Sequence, residues 1–173
     1  MLAYVFSHQP APDVDAKGYE EVLRHFHQEL AELHPHGFVR SLTYRIGSGY
    51  SDWYLVEDSS ALDHLNVAAV SGRRAVSHDA AARMAVDGVG KLLSLAAGAF
   101  DAGAPIEVRF GKPAGMGYAE LYSALERWTR EPGTSLWRRM MVLGPPPEFC
   151  LVSRRQAELP PEMHPETLSR TPI

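Results

Sequence analysis

Tyr19-Glu20-Glu21-Val22-Leu23-Arg24-His25-Phe26 and Tyr118-Ala119-Glu120-Leu121-Tyr122-Ser123-Ala124-Leu125 place four apolar residues at the same spacing, 99 positions apart. Residues at i, i+3, i+4 and i+7 share one face of a helix, so each segment predicts a helix with one buried side. A glycine precedes each, Gly18 and Gly117. A proline and a glycine follow each, Pro35 and Gly37 in one case and Pro132-Gly133 in the other. Proline cannot continue the hydrogen-bond ladder and glycine accepts the left-handed turn, so both helices stop there.

The surroundings repeat as well. Residues 2–8 and 106–110 are short aromatic and β-branched runs that read as strands. Beyond each helix stop lies a hairpin pattern: 38–46 and 50–57 around Gly47-Ser48-Gly49, then 135–143 and 148–155 around Gly144-Pro145-Pro146-Pro147. The same order of elements twice predicts a duplicated β-α-β-β unit. Between the copies, 61–70 reads as a helix capped by Asp58, Ser59 or Ser60. Residues 78–97 read as another, with Ser77 at the N-cap. Gly88 and Gly90 would each cost that helix about 1 kcal/mol, so it breaks there or another backbone packs closely. The expected organisation is a first unit over 1–103 with the extra helix, a shorter second unit over 104–157, and a Pro-rich C-terminal arm over 158–173.

Strand residues alternate weakly. Phe38, Leu42 and Ile46 oppose Val39, Ser41, Thr43 and Arg45, while Trp53 and Leu55 oppose Tyr54 and Val56. Such strands are buried on both faces, which predicts two antiparallel sheets facing each other with helices outside. One continuous sheet with all helices on one side is the alternative.

The chain has 173 residues, 45% hydrophobic and 22% charged, ordinary values for a globular fold. Its net charge of −4 argues against nucleic acid as a partner. The pairs Arg73-Arg74, Arg138-Arg139 and Arg154-Arg155 read as solvated surface. One cysteine, Cys150 in an apolar run, excludes an internal disulfide and suits a reducing, cytoplasmic setting. Residues 1–10 lack a basic n-region and read as a strand rather than a secretion signal. No run reaches the roughly 18 apolar residues of a membrane span.

The run Trp53-Tyr54-Leu55-Val56-Glu57-Asp58-Ser59-Ser60-Ala61-Leu62-Asp63-His64-Leu65 resembles the strand, acidic turn and helix start of the dimeric α/β-barrel superfamily. That superfamily includes antibiotic-biosynthesis monooxygenase-like, EthD-like and NIPSNAP-like proteins. Phe110-Gly111-Lys112-Pro113-Ala114-Gly115 followed by Tyr118 is similar to its first strand-to-helix passage. The resemblance implies an α+β fold of two tandem ferredoxin-like units, forming within one chain the barrel that relatives form by dimerising. Relatives range from cofactor-free oxygenases to haem-handling enzymes and proteins without activity, so the fold does not choose a function.

No motif does either. His25 and His27 diverge on a helix, and His34-Pro35-His36 straddles a helix end; neither has a metal-ligand spacing, so no metal is expected. Gly111 to Gly117 departs from both phosphate-loop patterns, and no serine lies in GxSxG. Glu20 and Glu21 are surface neighbours rather than a convergent pair. Aromatic and polar residues suited to a pocket between the sheets are Tyr44, Trp53, His64, Arg109 and Tyr118. They also suit a structural core. The expectation is a small-molecule-binding or regulatory barrel, with a small apolar ligand and a homodimer as partners and no required cofactor. The alternative is a cofactor-independent monooxygenase or haem-handling enzyme using that pocket.

Overall fold

In the computed structural model, residues 1–173 are described, apart from the side chains of Arg73 and Arg74. The basic pair noted at those two positions lies outside the described side chains. The elements run β1 (Leu2–Pro10), α1 (Ala16–Leu33), β2 (Phe38–Ile46), β3 (Gly49–Val56), α2 (Ala61–Val70), α3 (Arg73–Met84), β4 (Ala85–Gly98), β5 (Ile106–Phe110), α4 (Tyr118–Thr129), β6 (Ser135–Arg139), β7 (Phe149–Ser153) and β8 (Glu166–Pro172). A single 3₁₀ turn, Pro161–Met163, precedes β8.

The eight strands close into one antiparallel barrel in the order β1-β3-β2-β8-β5-β7-β6-β4. Each half has the same internal order: fourth, first, third, second strand, as β4-β1-β3-β2 and β8-β5-β7-β6. The halves are sealed where β2 meets β8 and β4 meets β6. The repeated strand order therefore spans the whole barrel, and the fold is α+β with helices outside a closed barrel.

Two expectations are corrected. The predicted helix over 78–97 is instead the end of α3 followed by the long strand β4. Its glycines are the reason. A Cβ at Gly88 would lie 2.6 Å from the Phe6 ring, and one at Gly90 2.6 Å from the Tyr4 hydroxyl. Both aromatics lie on β1, the strand paired with β4, so the glycines make room for rings standing on a sheet. Second, the C-terminal arm carries a strand: β8 pairs with β2 and β5 and supplies the fourth strand of the second half. No α-helix lies between β7 and β8, so that half reaches its fourth strand by an extended crossing.

Alternation along the strands divides the core into layers. Ala3, Val5, Leu55, Leu93, Trp137 and Val152 fill the lumen. Leu2, Tyr54, Val56 and Leu92 face outward beneath Phe26 and Leu30 of α1 and Leu65 of α2. Val108, Phe110 and Leu151 likewise meet Leu121 and Leu125 of α4. All eight residues of β3 are buried, as a strand covered on both faces must be. Asp15 caps α1 by accepting from the Gly18 amide at 2.8 Å, and His34 closes it in the left-handed conformation. Gly37, at φ 71°, meets Ala61 so closely that a Cβ would sit 2.6 Å from the alanine's own. That contact packs the α1–β2 turn against the start of α2. Among the described residues, no helix is long and apolar enough to cross a membrane.

Candidate functional site

A cavity of about 530 Å³ opens between the outer face of the first-half sheet and helices α1, α2 and α3. Its wall is mainly apolar and aromatic, with Tyr4, Phe6, Leu23, Phe26, Tyr54 and Leu65 among the contributors. Against this background stand His8, Tyr19 and Asp52, which also line it.

Three strands and one helix assemble the polar group. Asp52 sits on β3 with Phe6 of β1 and Thr43 of β2 as its cross-strand partners. His8 stands two residues beyond Phe6, on the same outer face. Tyr19 and His27 come down from α1, two helical turns apart. Asp52 is 3% exposed. Its Oδ1 accepts from Thr43 Oγ1 at 2.6 Å, and its Oδ2 lies 3.2 Å from His8 Nε2 and 3.4 Å from Tyr54 Oη. His27 Nε2 stands 3.4 Å from Oδ1.

These contacts assign a tautomer to a neutral His8. An ionised carboxylate only accepts, so His8 Nε2 carries hydrogen and donates to Asp52. In a neutral ring Nδ1 is then the acceptor, and Tyr19 Oη donates to it at 2.6 Å. The imidazole is held between the rings of Phe6 and Tyr50, with centroids 5.3 and 5.9 Å away. The result is an ordered chain: Tyr19 to His8 to Asp52.

Burial opposes a charge on Asp52, but His27 and His8 outweigh it and hold the carboxyl well below the usual carboxylate range. Burial, aided by the Asp52 charge, pushes the Tyr19 and Tyr54 hydroxyls up, so both keep their protons. Behind the site, Glu20 accepts from Tyr50 Oη at 3.0 Å, from Arg45 Nε at 3.1 Å and from Arg24 at 3.3 Å. This second cluster fastens α1 to the β2–β3 hairpin and so fixes the height of Tyr19 over His8.

No protein-family model matches the chain, and no curated protein matches it. Among solved structures, the chain is similar to a crystal structure provisionally described as that of a chlorite dismutase. The identity is 11%, the match covers 87% of this chain and 76% of the other, and the TM-score is 0.49.

The residues singled out from sequence lie away from the cavity. Tyr44, Trp53 and Arg109 belong to the barrel lumen. Tyr44 Oη donates to the Ala102 carbonyl at 3.0 Å, and the Arg170 guanidinium lies 4.1 Å over its ring. Trp53 packs edge-on against Trp137, 5.4 Å between centroids. Arg109 Nε donates to Glu107 at 2.7 Å. His64 is exposed on α2 beside His36, with ring centroids 5.3 Å apart. Tyr118 is 38% exposed, with Arg138 3.7 Å over its ring and Glu148 on its hydroxyl. The lumen between the two halves is occupied by Trp53, Trp137 and Phe100: Phe100 stacks on Trp53, and Trp137 stands edge-on to both. The described cavity lies on the other side of the sheet.

His8, Tyr19, His27, Thr43 and Asp52 were not among the candidates. One signal for them was present: Asp52 interrupts the strand Tyr50-Ser51-Asp52-Trp53-Tyr54. Aspartate is depleted in strands, and a buried one must be met by donors.

Proposed function

We propose that the chain binds a small, largely apolar organic molecule in the helix–sheet cavity, with the Tyr19–His8–Asp52 chain as its polar contact. The observation that carries this reading is a cavity of about 530 Å³, the size of a small-molecule site, with a fully buried carboxylate in an aromatic wall. Tyr19 commits its proton to His8, leaving the oxygen's lone pairs for a ligand hydroxyl or amide N–H. A hydroxylated aromatic compound meets both demands. The test is filling the space: Ala81→Trp on the α3 wall should abolish binding of a panel of hydroxylated aromatics that raise the wild-type Tm. Retained binding in a folded variant would count against the cavity.

The ordered chain favours a second reading, an acid–base enzyme of the cofactor-independent oxygenase kind. A ligand hydroxyl could give its proton to Tyr19 Oη as Tyr19 passes its own to His8 Nδ1. The ligand is left as an anion, Tyr19 stays neutral, and the imidazolium formed is stabilised by Asp52. This route suits a tyrosine whose hydroxyl resists ionisation, because no tyrosinate accumulates. His8→Gln should then lose turnover while keeping ligand affinity within a few fold.

Haem fits the cavity poorly. Its carboxylates call for cations, and among the described residues lining the cavity there is no Lys or Arg. His8 has both ring nitrogens engaged, and His78 at the wall turns Nδ1 to Asp79 at 3.3 Å. A haem titration is expected to give no Soret shift.

A further inference from the structure

The barrel lumen holds a polar assembly that the helix–sheet cavity does not use. Lys91 on β4 and Arg139 on β6 each lie two residues from a side chain packed in the lumen, Leu93 and Trp137. Strand alternation turns both inward. Leu93 and Arg139 are cross-strand partners, which makes Lys91 and Arg139 diagonal neighbours, roughly 7–8 Å apart at the backbone. Arg109 on β5 faces the same space across Cys150, which pairs with Arg109 on one side and Trp137 on the other.

The β6–β7 loop orients the first two heads. Lys91 Nζ donates to the Pro147 carbonyl at 3.1 Å and Arg139 Nη1 to the Gly144 carbonyl at 2.8 Å. Gly144 is pressed on the Gly90–Lys91 backbone, where a Cβ would meet it at 2.7 Å. Among the described residues neither Lys91 nor Arg139 has a carboxylate within ion-pair distance, whereas Arg109 shares Glu107. Arg139 Nε is buried and has no hydrogen-bond partner. Burial pushes the Lys91 ammonium down, and the charges of Arg109 and Arg139 add to this while Glu107 opposes it. Of these three half-buried cations only Arg109 has an ion-paired carboxylate, Glu107; half-buried cations without a partner of their own are costly, and an arriving anion removes that cost.

We propose that Lys91, Arg139 and Arg109, all only partly buried, form an oxyanion site at the β6–β7-loop end of the lumen, for a phosphate or carboxylate group on a small molecule. Arg139 Nε supplies a donor that nothing in the fold uses, and the guanidinium and ammonium together offer charge-assisted hydrogen bonds. The site lies on the opposite face of the sheet from the helix–sheet cavity, so the two readings fail separately.

The experiment is a thermal titration of the full chain with inorganic phosphate and, in parallel, sodium benzoate, each against sodium chloride at matched ionic strength. The expected result is a saturating rise in Tm beyond the chloride control, and which oxyanion gives it separates a phosphate source from a carboxylate one. Lys91→Met should fold with an unloaded Tm at or above wild type, since a buried charge is removed, and should need at least tenfold more anion for the same rise. Arg139→Gln should weaken the response similarly. No rise beyond chloride with either anion would overturn the site, as would an undiminished response in folded Lys91→Met.

Discussion

His8 Nε2 meets Asp52 Oδ2 at 3.2 Å across two adjacent strands, and this contact orders the polar chain that runs to Tyr19. It fixes the imidazole tautomer, which makes Tyr19 a donor, which leaves the tyrosine oxygen facing the cavity as an acceptor. Three residue types that rarely share a buried surface are stable together because each satisfies the next.

Asp52→Asn removes the only anion from this chain and puts an amide where Thr43 and His8 both donate. Leaving a buried neutral donor unpaired costs about 1–3 kcal/mol, measurable as a lower urea midpoint. Acid behaviour follows with a definite sign. The folded Asp52 carboxyl titrates below its unfolded value of about 3.9. Its contribution is therefore complete above that value and lost as pH falls from about 4 toward the lower folded value. Glu20, where burial pushes upward but bonds from Arg45 and Tyr50 prevail, is shifted the same way. The acid limb of a stability–pH profile should be shallower in Asp52→Asn than in wild type.

Tyr19 and Tyr118 occupy matching places in the sequence repeat but not in the packing. Tyr19 is fully buried, edge-on to His8 and Tyr50, while Tyr118 is the first residue of α4 and 38% exposed. Tyr19→Ala should cost about 3–5 kcal/mol, as large aromatic truncations in a core do. Tyr118→Ala should cost under about 1.5 kcal/mol, chiefly its stacking with Arg138. Equal losses in chemical denaturation would mean that the two tyrosines are packed alike.

Cys150 is the sole thiol and is buried beside Trp137 in the lumen. Burial and the nearby Glu107 push its thiol well above the usual value. It should resist disulfide-exchange reagents in the native state at neutral pH and react once the barrel opens. The labelling rate should then track the unfolded fraction across a urea series. Fast labelling in the absence of denaturant would contradict a closed barrel.

The repeat was legible because helix faces and hairpin turns are local signals. Tyr19, Leu23 and Phe26 announce α1, and Gly47-Ser48-Gly49 announces the β2–β3 turn. The last strand of each half was not, because its evidence is non-local. β4 is framed by glycines that only the rings of Tyr4 and Phe6 explain, and β8, rich in Thr, Ser and Pro, becomes a strand by bridging β2 and β5. The site was missed for a related reason. His8, Asp52 and Tyr19 lie on separate elements, and the prominent aromatics Tyr44 and Trp53 alternate onto the opposite face, into the lumen.

Gly88 and Gly90 allow the strand reading of β4 to be tested by sign. Were residues 78–97 helical, replacing both by alanine would stabilise the protein by about 2 kcal/mol, since glycine is the poorer helix former by about 1 kcal/mol at each site. On the strand, each new methyl stands 2.6 Å from an aromatic side chain of β1, the Phe6 ring in one case and the Tyr4 hydroxyl in the other. Relief requires the rings to swing away from β4, and overpacking of this kind costs about 1–3 kcal/mol. Both rings line the helix–sheet cavity, so the displacement changes its shape as well. Gly88→Ala/Gly90→Ala is therefore expected to lower Tm and to weaken whatever aromatic ligand raises it in wild type. A higher Tm with ligand binding unchanged would mean that these glycines do not accommodate Phe6 and Tyr4, and the placement of β4 beside β1 would have to be abandoned.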